Sequence, residues 1–280
     1  MENKQSLQDT TSEDNIRRSK IKIRILMAVF ILSIGFMVAF GVGIFLEMQE
    51  TGQGQSFYSA VAVEFKPRII IPPTPAQPIS ATGAVAEAEE APFVPFMDFE
   101  PLREQFPRIV GWIQSAGTPI NYPIVQGTDN EFYLHRLPDG TLHRWGSIYL
   151  DYRNQSDFSD RSIIIYGHDM ASGDMFGSLL NYHNQEYFEQ HSTMFIFTPE
   201  NTFLLTLFAG YTLDATVEHP PLFFPDEETF EHYMNDIRSR SIFTSDFEVS
   251  FGDQIVFLAT CTRGGSRHGR LLIVGKLESL

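Results

Sequence analysis

The chain contains a single cysteine, Cys261, and that residue is the first to test for chemistry. A thiol acts as a nucleophile in its thiolate form, which nearby cations and partial exposure favour. Cys261 closes the apolar run Gln254–Thr260 and precedes Thr262-Arg263-Gly264-Gly265. An extended segment thus opens into a glycine-rich, basic loop at the sulfur. Two readings fit this segment taken alone. Cys261 is either an exposed reactive thiol or the last core residue of a strand, a common place for a free cysteine.

A thiol nucleophile also needs a base or a charged partner. Of the eight histidines, at 135, 143, 168, 183, 191, 219, 232 and 268, His168 stands apart. The run Arg161–Tyr166 has strand composition and ends in Gly167-His168-Asp169-Met170, so this imidazole also sits where a strand gives way to a loop. His268 lies in a polar loop and His232 among the apolar positions of an amphipathic segment, where a solvated role suffices. Positive charge is the third element, because Arg263, Arg267 and Arg270 all follow Cys261 within nine residues. Arg270 opens the apolar run that continues to Lys276, so a sheet there would fix its guanidinium. A fixed planar guanidinium can hold a peptide carbonyl or stabilise an oxyanion. The alternative for all three arginines is a solvated loop.

Other chemistries find no footing in the sequence. HExxH, CxxC and any compact His/Asp cluster at ligand spacing are missing, so no metal and no cofactor is expected. GxGxxG, P-loop and GxSxG patterns are also missing. The formal net charge of -15 argues against general nucleic-acid binding.

The elements that must position these residues are mostly strands. Short runs rich in β-branched and aromatic residues occur at Ser147–Leu150, Ser162–Tyr166, Met194–Thr198, Phe203–Tyr211, Gln254–Thr260 and Leu271–Leu277, each bounded by turn-forming residues. This part of the chain opens with helical spacing at Phe99, Leu102 and Phe106, followed by Val110-Gly111-Trp112-Ile113. One late segment is also helical. Asp226 follows Pro225 as a cap, and Phe230, Tyr233, Met234 and Ile237 recur at i, i+3, i+4, i+7. The expectation is a mainly β fold, a barrel or sandwich, with helices at its start and one in a late connection.

Charge divides the chain. Residues 1–24 hold six basic and four acidic side chains, whereas the remainder holds 14 basic and 31 acidic. Between them Ile25–Leu46 has no charged residue over 22 positions. As a helix that stretch is about 33 Å long, enough for a hydrocarbon core of about 30 Å. The basic cluster Arg17–Arg24 places residues 1–24 in the cytoplasm as a tail, 25–46 as a single-pass anchor, and the rest outside the cell. A cleaved signal peptide fits less well, because its apolar region is shorter and its small-residue site follows closely. Residues 47–97 contain Pro67, Pro72, Pro73, Pro75, Pro78, Pro92 and Pro95 and read as an extended stalk. A catalytic domain is then expected over 98–280, able to fold without the anchor.

With these pieces in view, the sequence resembles the class B sortases over nearly the whole of 98–280. The resemblance rests on Val110-Gly-Trp-Ile113, on Ile120-Asn-Tyr-Pro-Ile-Val-Gln126 with Asp129-Asn130, and on Gly146-Ser-Ile-Tyr-Leu-Asp151. It continues in Ile165-Tyr-Gly-His-Asp-Met170 with Met175-Phe176, in Thr260-Cys261, and in Arg270 with Val274-Gly275-Lys276. Ala259 departs from relatives that carry a hydroxyl residue there. The resemblance implies an eight-stranded barrel with His168, Cys261 and Arg270 as the catalytic set and Asn121 and Thr260 as substrate-binding residues. It implies a membrane-anchored transpeptidase of the Gram-positive type, acting on secreted proteins with a C-terminal sorting signal. Cys261 would attack the carbonyl after the signal's threonine and form a thioacyl enzyme. His168 would serve as acid and then base, and Arg270 would hold the oxyanion. An amine of a peptidoglycan precursor or of a pilin or other surface protein would resolve the intermediate. Two alternatives share these residues: a hydrolytic cysteine peptidase, and a stalked binding module in which Cys261 is core.

Overall fold

The computed structural model describes residues 2–65, 67–70, 94–262 and 268–280. The chain forms two compact units, Met1–Gly54 and Gln55–Leu280. The first is helical, part of α1 (Glu2–Glu64). Leu26, Phe30, Phe36, Phe40 and Phe45 are all exposed along it. A helix that is exposed and apolar all round suits lipid. From Leu26 onward α1 is long and apolar enough to cross a membrane.

The second unit holds the end of α1, a two-stranded ribbon of β1 (Arg68–Ile70) and β2 (Val94–Phe96), and α2 (Glu100–Gln105). There follow β3 (Ile109–Gln114), β4 (Asn121–Gln126), the 3-10 helix η1 (Tyr133–His135), β5 (Ile148–Leu150) and β6 (Ser162–Tyr166). The 3-10 helix η2 (Gly177–His183), α3 (Gln185–Gln190), β7 (Thr193–Phe197), β8 (Thr202–Asp214), α4 (Glu227–Ser239), β9 (Gln254–Cys261) and β10 (Gly269–Ser279) complete it. Eight strands close into a barrel in the order β10-β8-β7-β3-β4-β5-β6-β9. Closure leaves no unpaired strand edge. The β4–β5 and β6–β9 pairs are parallel and the others antiparallel.

Side-chain alternation separates inside from outside. Ile113, Ile124, Ile148, Ile163, Ile165, Leu258 and Ile273 fill the barrel. Their outward neighbours Ile164, Phe257, Leu272 and Val274 lie under α4, which buries Phe230, Met234 and Ile237 against them. On another side Trp112, Val125 and Tyr149 lie under α2 and the end of α1. The eight-stranded barrel and the helix between two late strands agree with the sequence expectation. α4 starts as expected at Asp226, whose carboxylate accepts from Thr229 N–H at 2.8 Å.

Two barrel strands lie outside the β-type runs picked out by composition. Val110–Ile113 belongs to β3, because Pro107 prevents α2 from continuing through it. β4 contains Pro123, which argues against a central strand. It is accommodated because the ladder with β5 begins at Ile124, one residue beyond the missing N–H.

The reading of 47–97 as an extended stalk, with a domain starting at residue 98, needs correction. α1 continues helical to Glu64, and the compact unit starts at Gln55. Tyr58, Val61 and Phe65 form a buried stripe at helical spacing. Tyr58, Val61 and Phe65 join the clusters that fill and flank the barrel. Burial against the barrel outweighs the low helix propensity of Gly52 and Gly54. Pro72, Pro73, Pro75, Pro78 and Pro92 lie outside the described residues. Each of the three buried side chains contributes roughly 1.5–3 kcal/mol. A fragment 98–280 is therefore expected to be less stable than 55–280 by roughly 5 kcal/mol, the order of a small domain's whole stability. Denaturant unfolding of the two fragments checks this, and equal midpoints and slopes would place the boundary back at residue 98.

Candidate active site

The strands bring His168, Cys261 and Arg270 to one end of the barrel. β6 and β9 run parallel with Tyr166 opposite Ala259, and Gly167 N–H donates to Ala259 O at 3.1 Å. His168 therefore leaves β6 beside the end of β9, where Cys261 sits. On the other side of β9, Arg270 of β10 lies directly opposite Cys261 in the antiparallel ladder. Cβ atoms of such pairs stand about 4.5–5.5 Å apart. Cys261 shares the outward parity of Ala259 and Phe257, and Arg270 that of Leu272 and Val274. Cys261 is exposed, which excludes the reading as a core thiol, and His168 and Arg270 are half-buried.

His168 is held from several directions. Its Nε2 lies 2.6 Å from Leu134 O, and since a carbonyl only accepts, Nε2 carries hydrogen and Nδ1 is left for the reaction. The ring stacks on His135 of η1 at 5.9 Å between centroids. Phe176 N–H donates to His168 O at 3.0 Å, closing the loop after β6. Burial pushes the imidazole below its ordinary pKa. The hydrogen bond to Leu134 opposes this, and the nearby His135 and Arg270 reinforce it. A low pKa makes the imidazolium a strong acid once formed.

Tyr149 and Tyr166 stand opposite each other on β5 and β6, and Asp151 follows β5. Tyr149 stacks on Tyr166 at 5.2 Å. Burial raises the Tyr149 pKa and keeps the hydroxyl protonated, and the nearby Arg270 guanidinium opposes this rise. Tyr166 donates to the Asp151 carboxylate at 3.1 Å. Asp151 is fully buried, which opposes ionisation. Hydrogen bonds from Arg153 and Asn130 outweigh the burial and hold its pKa below the usual carboxylate value. Arg153 grips both oxygens at 2.9 and 2.8 Å, and Asn130 reaches one at 2.9 Å. This network ties β5, β6 and the segment after β4 together.

The two residues expected to bind substrate are placed differently. Thr260 is buried, and its hydroxyl donates to Gly167 O at 2.8 Å, so its side chain joins β9 to the residue before His168. Asn121 starts β4 at the same barrel end, three strands round from β9. Its Oδ1 accepts from Trp112 Nε1 at 2.8 Å, and it lines a cavity with Tyr58, Ser59, Tyr122 and Asp174. Arg263 and Arg267 lie outside the described residues. Among the described residues no group of three His, Cys, Asp or Glu side chains is placed to hold a metal ion. Sequence reasoning gave no role to Leu134, His135, Tyr149 or Tyr166. Tyr149, Asp151 and Tyr166 stand within the recognised motifs, but their contacts cross between strands and have no local spacing signal.

No protein-family model matches the chain. Sortase B of Listeria monocytogenes is 36% identical over 170 residues, which cover 60% of this chain and 69% of that protein. A solved sortase B of Bacillus anthracis is 36% identical with a TM-score of 0.60, over 65% of this chain and 84% of that one. The Staphylococcus aureus sortase B–substrate complex is 28% identical with a TM-score of 0.61, over 65% of this chain and 85% of that one.

Proposed function

The chain belongs to the sortase B family of cysteine transpeptidases, and we propose that it cleaves a C-terminal sorting signal on secreted proteins and passes the acyl part to an amine of the cell wall or of another surface protein. The observation that carries this reading is the cross-strand pair of Cys261 and Arg270, with the His168 loop on the neighbouring strand. The relative solved as a substrate complex shares this barrel.

Cys261 Sγ gives its proton to His168 Nδ1 and attacks the carbonyl carbon of the scissile peptide. The electron pair moves onto the carbonyl oxygen, where the Arg270 guanidinium stabilises it. As the tetrahedral species collapses, the C–N bond breaks and His168 Nδ1 returns its proton to the leaving amine. The thioester formed on Cys261 is then attacked by the acceptor amine, which loses a proton to His168. Cys261 leaves as the thiolate, and the His168 proton restores the thiol. Thr260 serves this cycle by fixing Gly167, and Asn121 offers its amide to the substrate from the same barrel end. Residues 25–46 hold the enzyme in the membrane, with 1–24 on the cytoplasmic side and the barrel outside.

Mass spectrometry of the protein mixed with a panel of sorting-signal peptides tests the proposal. The expected result is a thioacyl adduct on Cys261 that an added amine converts to a new peptide bond. Absence of any Cys261 adduct would sink the transpeptidase reading. Release to water alone, whatever amine is present, would replace it with a hydrolytic peptidase.

A further inference from the structure

The end of α1 packs beside the barrel end that carries His168, and one residue there contacts a neighbour of each of the two supports of that histidine. We propose that Tyr58 is a positioning residue, through which the juxtamembrane helix braces His168 from two sides. The proposal rests on the reading of His168 as the acid–base group.

The first route runs through the Tyr58 hydroxyl. It is buried and donates to Gly146 O at 2.5 Å. Gly146 has φ +56°, and a Cβ there would collide with the Leu134 carbonyl. Only glycine lets the backbone approach that closely. The Leu134 carbonyl against which Gly146 is seated is the one that accepts from His168 Nε2. Moving Gly146 therefore moves the acceptor that orients the imidazole.

The second route runs through the Tyr58 ring. It meets Tyr122 edge-on at 5.3 Å and stacks on Trp145 at 6.1 Å. The Tyr122 hydroxyl accepts from Met175 N–H at 3.0 Å. Met175 has φ +54°, an uncommon value for a side-chain residue, and it bridges Asp169 across the loop after β6. Its neighbour Phe176 holds His168 O. Tyr58 thus supports the carbonyl that fixes the ring and the loop that fixes the backbone.

The test uses the full chain in detergent micelles, with the sorting-signal peptide that acylates Cys261 and with iodoacetamide as a second probe. Tyr58→Phe keeps the ring and removes one hydrogen bond, so kcat is expected to fall about 3- to 10-fold with KM within twofold. His168 is faced by His135 of η1 and Arg270 of β10, with Cys261 on the adjoining strand β9, and the substitution alters none of them. The Leu134 hydrogen bond raises the imidazole pKa. Loosening it should therefore move the His168 limb of the Cys261 alkylation profile to lower pH, the limb being identified by its loss in His168→Ala. Tyr58→Ala should deepen both effects, and if it does not fold, Tyr58→Phe carries the test. An unchanged kcat in Tyr58→Phe overturns the proposal, and so does a lower kcat with the limb unmoved. Full turnover in His168→Ala would instead overturn the acid–base reading, whatever Tyr58→Phe does.

Discussion

Arg270→Lys should lower kcat/KM for peptide cleavage by at least about 10²–10³-fold, the usual cost of one oxyanion donor. The charge is kept, so the loss measures geometry. Arg270 stands opposite Cys261 in the β9–β10 ladder, and Arg270 Nη1 donates to Gly269 O at 3.0 Å, which helps aim the guanidinium. Lysine supplies a point charge on a flexible stem and cannot reproduce the planar fork. Arg263→Lys and Arg267→Lys are the charge-matched comparisons from the same stretch of sequence, and each should cost far less. All three variants are to be measured by steady-state cleavage under one condition. Should Arg263 or Arg267 be the most sensitive, the catalytic arginine has been misassigned.

Cys261→Ala should abolish turnover while leaving the unfolding midpoint almost unchanged. The sulfur is exposed at the end of β9, so its removal opens no interior cavity. Removing a buried side chain from a core typically costs about 2–5 kcal/mol. The expected change here is below about 1 kcal/mol. Iodoacetamide should label the native wild-type protein at Cys261 and not the variant. Residual turnover in Cys261→Ala would move the nucleophile elsewhere, and a destabilisation on the scale of a core cavity would show the thiol to be structural.

The uncharged helix of 25–46, the β-rich body and α4 were legible from local rules alone. Each depends on interactions within a few residues: length without charge, β-branched runs between turn residues, and an Asp226 cap ahead of a 3.6-residue period. Cys261, His168 and Arg270 were legible as candidates because each sits at a strand end. The family resemblance joined them into one set. The sequence could not show the register that sets Arg270 opposite Cys261, nor the pairing of β6 with β9. Thr260 and Gly167, linked by one hydrogen bond, are 93 positions apart. Such contacts follow from barrel closure, which no local period encodes. The same holds for Leu134, whose carbonyl orients His168 through the fold rather than through its side-chain type. Tyr58 is the plainest case. The stripe of Tyr58, Val61 and Phe65, preceded by Gly52 and Gly54 and followed by prolines, carries too little local preference to announce a helix. It becomes one because the barrel end offers apolar surface for Tyr58, Val61 and Phe65 to bury, and tertiary burial outweighs propensity.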